Sequence, residues 1–247
     1  IPIHLFGQAA DMEEILALAK KNNLYVVEDN AQSIGANYTF SDGSKKKTGT
    51  LGHIGTTSFF PSKNLGAYGD GGAIFTDDDE LAHTIRGIVN HGMYIRYQHD
   101  VIGVNSRLDS IQAAILDIKL DYLDIYNEFR KTAALKYNQR LANHPKLVTP
   151  FRKGDCDTHV YHQYTLKVID GDRDGLVKHL TENGIPCGVY YPIPLHLQKA
   201  YTNENYNADD FKVTLEIVDQ VVSLPMHTEL SDDQINFITD TIKSYFV

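Results

Sequence analysis

Two short runs hold the residue types that can do chemistry. Glu28-Asp29-Asn30-Ala31-Gln32 closes one apolar stretch, and Ser58-Phe59-Phe60-Pro61-Ser62-Lys63-Asn64-Leu65-Gly66 closes another. Leu24-Tyr25-Val26-Val27 reads as a buried parallel strand, which puts Asp29 at its carboxyl end. Ligands of open α/β sheets bind at that edge. A carboxylate there can pair with a protonated pyridine nitrogen and keep the ring an electron sink. Lys63 follows a strand-like segment, Thr56 to Phe60, and precedes Gly66, Gly69, Gly71 and Gly72. Such a turn lets backbone approach a ligand closely, and a desolvated amine there becomes a nucleophile. With hydroxyls at Ser58 and Ser62, the set is what a pyridoxal 5'-phosphate site needs: a Schiff-base lysine, an acid for the ring nitrogen and a phosphate ligand. Each residue alone also has a plainer reading. Asp29 can be a turn or cap residue and Lys63 a surface lysine, and Gln32 alone is uninformative.

Other candidates are weaker. Gly69-Asp70-Gly71-Gly72 fits neither the dinucleotide fingerprint nor the P-loop and reads as a tight turn. Asn105-Ser106-Arg107 stands before a long helical pattern, where it can serve as an anion site or simply cap the helix. His159, His162, His91 and His99 have no cysteine or carboxylate at ligand spacing, so no metal site is expected. Gly-x-Ser-x-Gly does not occur, and no Gly-x-Gly-x-x-Gly follows a strand.

The elements that must position these residues alternate. Residues 11–22 read as a helix with Asp11 at the N-cap and Glu14 three residues on. Strands are expected near 24–27, 56–60 and 72–75, and a helix over 77–89. Residues 107–142 read as one long helix whose Ile111, Ile115, Ile118, Tyr122, Ile125 and Phe129 form a continuous apolar seam. Beyond Asn143-His144-Pro145 a second region has strands at 161–169 and 188–191 and helices at 174–183 and 211–219. Its last helix starts near Ser231, with Gln234 three residues on. The pattern argues an α/β fold with a mainly parallel sheet and a smaller C-terminal α/β domain. Lys45-Lys46-Lys47 reads as a solvated loop.

Bulk properties narrow the class. The chain has 247 residues, 42% hydrophobic and 22% charged, as in globular domains. A net charge of −9 argues against a general nucleic-acid or anionic-membrane binder. No apolar run reaches the length of a membrane span. Cys156 and Cys187 suggest no disulfide framework, so a cytoplasmic location is expected. Ile1-Pro2-Ile3-His4-Leu5-Phe6-Gly7 reads as the end of a strand, and a further N-terminal segment is expected before it.

Taken together, the motifs resemble the DegT/DnrJ/EryC1/StrS family of pyridoxal-phosphate-dependent nucleotide-sugar aminotransferases, of fold type I. The resemblance rests on residues 28–32 and 58–72, on Asn90-His91-Gly92, Gly103-Val104-Asn105-Ser106-Arg107-Leu108-Asp109 and Gly188 to His196, and on Ser223-Leu224-Pro225-Met226-His227. It implies that residues 1–123 are the C-terminal portion of a large cofactor-binding domain and 124–247 a small domain. Lys63 then matches the Schiff-base lysine and proton carrier, Asp29 the partner of the ring nitrogen, Gln32 the residue at the ring oxygen and Ser58 a phosphate ligand. Asn105 matches a residue that reaches the cofactor phosphate of the other subunit, which implies a homodimer with shared sites. Arg107, Tyr191 and His196 would lie near the sugar nucleotide. The implied reaction moves an amino group from an amino acid, L-glutamate first among candidates, to a nucleotide-linked keto hexose. A 3-keto sugar fits best, and the rivals are a 4-keto sugar or a non-catalytic ligand-binding member. In the family the segment before Ile1 carries a phosphate-binding glycine turn and an aromatic that stacks on the ring.

Overall fold

The computed structural model describes residues 1–151, 158–201, 203 and 205–247, so Cys156 lies outside the described residues. Two compact units emerge. The first comprises Ile1–Glu128 and takes in the segment that returns at Arg152–His162; the second comprises Phe129–Phe151 and Gln163–Val247.

In the first unit, α1 (Met12–Lys21) carries acids in its first turn and lysines in its last, both favourable to the helix dipole. The expected capping box is absent: Asp11 makes no side-chain cap bond. The neighbouring Glu13 accepts from the Ser41 main chain at 3.0 Å and its hydroxyl at 2.6 Å. The first strand, β1 (Val27–Asp29), begins later than the apolar run Leu24–Val27 suggests. Leu24 and Tyr25 are exposed, because the Leu24 N–H still closes the helix end on Ala19 O and Asn23 takes a positive φ of 53°. A ribbon follows, β2 (Asn37–Thr39) with β3 (Lys45–Lys47). The lysine run is therefore an exposed strand and not a loop; antiparallel pairing with Asn37, Tyr38 and Thr39 fixes it.

β1 pairs in parallel with β4 (Ile54–Ser58), in the register Val27↔Ile54 and Asp29↔Thr56. On its other side β1 meets Ile3 in a parallel bridge at Asp29. β5 (Gly72–Phe75) is antiparallel to β4 and ends the sheet. α2 (Asp79–Val89) is capped by Asp78, whose carboxylate accepts from Glu80 and Leu81 N–H. A hairpin of β6 (Met93–Ile95) and β7 (Gln98–His99) follows. Among its described residues two apolar clusters stand out. One gathers Met12, Ala19, Val26 and Tyr38, the other Phe59, Leu65, Ala67, Leu116 and Leu123.

The long helix expected over 107–142 is two helices, α3 (Ser110–Leu120) and α4 (Leu123–Leu141). The ladder tightens at the junction, where Tyr122 N–H donates to Lys119 O three residues back. The break lets both Leu116 and Leu123 enter one cluster. The apolar seam is real but mostly outward: Ile111, Ile118, Tyr122, Ile125 and Phe129 are all exposed.

In the second unit β8 (Leu147–Val148) pairs with β9 (Tyr164–Val168), which is followed by α5 (Arg173–Glu182), α6 (Lys212–Val218), β10 (Val221–Leu224) and α7 (Asp232–Tyr245). Its sheet, in the order β10-β9-β8, is antiparallel throughout. Residues 188–191 form no strand; only Gly188 bridges, to Ser223. Ser231 and Gln234 do form a capping box at the start of α7. The core holds Tyr137 packed against Tyr164, ring centroids 4.8 Å apart and tilted by 38°, with both hydroxyls satisfied by Pro225 O and Asn138. Among the described residues no helix is long and apolar enough to cross a membrane, and no cluster of three metal-ligating side chains occurs.

The segment described from Thr158 to His162 docks on residues 7–9 through Ala9 N–H to Thr158 O and Val160 N–H to Gly7 O, both 2.8 Å. Gly7 adopts φ 101°, and a Cβ there would meet His162 N at 2.9 Å, so only glycine fits. His159 is buried and stacked on Tyr161 at 3.8 Å, and burial pushes its pKa down to about 3. The folded imidazole is thus neutral, whereas the unfolded one binds a proton near its ordinary pKa of 6.5. Its contribution to stability is complete above that value and is lost as pH falls from 6.5 toward 3. We expect the thermal midpoint of this unit to drop over that window and His159→Gln to flatten the drop, as calorimetry at stepped pH would show.

Candidate active site

Because β1 and β4 run parallel, their carboxyl ends share an edge. Asp29 is the last residue of β1, Ser58 is the last of β4, and Lys63 lies in the turn that β4 enters. The Lys63 N–H donates to Phe60 O at 2.9 Å and closes that turn. Its side chain is half-buried. Burial lowers the amine's pKa, and the negative charge of Asp29 works against that shift. The two side chains are therefore close enough to interact electrostatically. Among the described residues, no carboxylate lies within ion-pair distance of the amine.

The neighbours of Asp29 are oriented by main chain. Its Oδ1 accepts from Ala31 N–H at 3.0 Å. Gln32 Oε1 accepts from Phe6 N–H at 2.7 Å, which identifies the oxygen end of the amide and leaves Nε2 as the donor end. Ser58 Oγ accepts from Phe60 N–H at 3.2 Å, so its hydroxyl proton remains to be given elsewhere. Gly72 stands opposite Ser58 in the ladder, and Phe59 N–H reaches Gly71 O at 2.8 Å. The glycine run is thus a turn that leads into β5, as its composition suggests.

Four side chains that motif reading passes over hold the lysine turn. Buried Asn64 donates to Asn127 Oδ1 at 2.7 Å and to Val160 O at 3.1 Å. Asn127, on α4, donates in turn to Ile34 O at 3.2 Å. From α3, Lys119 donates to Gly66 O, and Gln112 accepts from Tyr68 N–H at 2.8 Å. The turn is therefore strapped on both sides of its apex. The one sequence signal was Asn64, an amide set between Lys63 and the buried Leu65.

The remaining candidates lie elsewhere. Asn105 forms an antiparallel bridge with Asn90, beside Ser106 N–H to Val89 O at 2.9 Å. Its side chain is exposed, as is that of Arg107. Both precede a helix that begins only at Ser110, so neither lies in its first turn, as an anion site at the helix end would require. Among the described residues, neither side chain is hydrogen-bonded to Asp29 or Lys63. Tyr191 and His196 belong to the second unit. Tyr191 is exposed and its ring lies 5.6 Å from that of Tyr190. His196 Nε2 is 3.1 Å from Ala208 O, and its ring packs at 4.7 Å on Phe211.

A family model for DegT/DnrJ/EryC1/StrS aminotransferases matches residues 1–243. The chain belongs to that family. Among its relatives, the pleiotropic regulatory protein of Geobacillus stearothermophilus is 45% identical over 248 residues, all of this chain and 64% of the relative. The UDP-N-acetyl-3-dehydro-alpha-D-glucosamine 3-aminotransferase of Acidithiobacillus ferrooxidans is 42% identical over 98% of this chain and 63% of its own length. The crystal structure of DesV from S. venezuelae in complex with a ketimine intermediate superposes with a TM-score of 0.91 at 38% identity, over 98% of this chain and 63% of that one. The α/β architecture is accordingly the fold type I class, and the chain spans under two thirds of the length of these relatives.

Asn127→Ala removes the acceptor for Asn64 and the donor to Ile34 O, leaving buried polar groups unpaired. We expect a loss of about 1–3 kcal/mol in the stability of the first unit, read from denaturant unfolding, with faster proteolysis within residues 61–68.

Proposed function

We propose that this chain acts in a pyridoxal 5'-phosphate-dependent aminotransferase that moves an amino group from L-glutamate to the 3-keto position of a nucleotide-linked hexose. The observation that carries it is Asp29 and the half-buried Lys63 at the shared carboxyl edge of β1 and β4, with burial lowering the amine's proton affinity. The residues present fit the cofactor. Asp29 is an acid with its Oδ1 held by Ala31 N–H, Ser58 keeps a hydroxyl proton to donate, and among the described residues Lys63 has no carboxylate within ion-pair distance. When bound, the cofactor supplies an electron sink for the carbanion that forms at the donor's Cα.

The chain's own groups do the rest. Asp29 holds a proton on the ring nitrogen by charge-assisted hydrogen bonding. Ser58 and backbone N–H groups bind phosphate, and Gln32 Nε2 donates to the ring oxygen. Lys63 Nζ, as a neutral amine, would take the proton from the donor's Cα and later return one to the product sugar carbon. The lowered pKa suits that work, because the amine must be unprotonated to accept. Arg107, Tyr191 and His196 are proposed sugar-nucleotide contacts, and Asn105 a contact to the phosphate of a second copy's cofactor. The exposed apolar seam of Ile111, Ile118, Tyr122 and Ile125 supports pairing of two copies.

The 3-keto assignment draws on the Acidithiobacillus relative, whose name describes that chemistry. The Geobacillus relative carries a regulatory name and favours a second reading, a ligand-binding regulator. One experiment separates them. The full-length chain is loaded with pyridoxal 5'-phosphate and given L-glutamate, and then UDP- and dTDP-linked 3-keto and 4-keto hexoses. Loss of the visible cofactor band with glutamate and mass gain by a 3-keto sugar are expected. Lys63→Ala should cut turnover by at least about 10³-fold and abolish the covalently held band. A wild-type band unchanged by every amino donor would sink the transaminase reading in favour of the regulator.

A further inference from the structure

Next to Asp29 lies a carboxylate that the reaction does not use. Glu28 has no solvent exposure, and neither does His4. Four donors converge on the Glu28 carboxylate. Its Oε2 accepts from His4 Nε2 and Gly49 N–H, each at 2.8 Å, and its Oε1 from Leu51 and Gly52 N–H, each at 2.6 Å. His4 Nδ1 accepts from Ala10 N–H at 3.1 Å, which leaves the ring proton on Nε2, pointing at Glu28. Burial alone would raise the carboxylate's pKa, but His4 and the three backbone donors outweigh it and hold it below the usual range.

The same segment also grips the main chain of the neighbouring motif. Pro2 O accepts from Asp29 N–H at 2.9 Å, and His4 N–H donates to Asp29 O at 3.0 Å. Two residues on, Phe6 N–H holds Gln32 Oε1. His4 therefore touches the motif twice, through its backbone at Asp29 and through its ring at Glu28. On the opposite side the Gly49–Gly52 loop is pinned by the same carboxylate. A Cβ at Gly55, the register partner of Glu28, would lie 1.9 Å from Gly49 O, so that loop sits directly against the β1–β4 pair. Glu28 joins three segments at the point where β1 delivers Asp29. A neutral amide cannot replace it, because its single acceptor atom would face four donors.

We propose that His4 and Glu28 are positioning residues that fix Asp29 and Gln32 at the height where they meet the ring nitrogen and ring oxygen of the cofactor. This rests on the pyridoxal-phosphate reading of the site. A purely structural role would affect folding alone. A positioning role also moves the properties of the bound cofactor in protein that is fully folded.

The test uses the full-length chain and pyridoxal 5'-phosphate as the probe. Three quantities are measured for each variant: the thermal midpoint without cofactor, the cofactor dissociation constant, and the pH at which the visible band changes form. Glu28→Gln is expected to weaken cofactor binding about tenfold and to move the band's pH midpoint in folded protein. If Glu28→Gln does not fold, His4 decides. His4→Gln keeps a donor where Nε2 was and should stay within about twofold of wild type, whereas His4→Leu loses it and should behave as expected for Glu28→Gln. Folded His4→Leu with wild-type affinity and an unmoved pH midpoint would overturn the proposal while leaving the function intact. A wild-type chain that binds no cofactor would overturn both.

Discussion

The parallel register of β1 on β4 is the constraint on which the site depends. Asp29 pairs with Thr56, and the two strands therefore release their chains at the same edge. In a parallel pair the side-chain period is two, so a slip by one residue would turn Asp29 to the opposite face of the sheet. Nothing in a three-residue strand such as Val27–Asp29 resists such a slip by length alone. Register is instead locked from outside the ladder, by the Ile3 bridge, by Thr56 Oγ1 donating to Glu28 O at 3.1 Å, and by the glycine loop that leaves no room at Gly55.

The two units solve their packing differently. The second builds an antiparallel sheet whose strand β10 is buried along its whole length, with paired tyrosines whose hydroxyls are satisfied. Its stability is a matter of ordinary core burial. The first spends much of its interior on polar groups: His4, Glu28, Asn30, Asn64, Asn127 and His159 are all buried. Such groups are costly unless hydrogen-bonded, and among the described residues Asn30 Oδ1 and Asn64 Oδ1 have no hydrogen-bond partner. Both belong to residues directly beside Asp29 and Lys63. Polar interiors of this kind trade stability for a fixed geometry.

What the sequence made legible was local. Asp29, Ser58 and Lys63 stand out because an acid or an amine ends an apolar run, and the structure sets all three at one edge. Ser231 and Gln234 carry a capping signature that needs no tertiary context. The Leu24–Tyr25 pair misleads because apolar character alone cannot tell a strand from a helix exit. The break at Asp121–Tyr122 is invisible to periodicity, since the pattern continues in phase across it while the hydrogen-bond ladder does not. The Asn64–Asn127 and His4–Glu28 links join residues far apart in the chain, and no spacing rule relates them. Only its burial at the middle of β1 marks Glu28, because a carboxylate there requires donors from somewhere else in the fold.

The outward apolar face of α3 has a colloidal consequence. Ile111 and Ile118 are 74% and 66% exposed, among neighbours of the same character. At neutral pH the surplus of nine negative charges keeps molecules apart by mutual repulsion. Near the isoelectric point of about 5.6 that repulsion vanishes, while the attraction between oily surfaces stays. Whether the chain remains dispersed is then set less by its fold than by buffer and concentration.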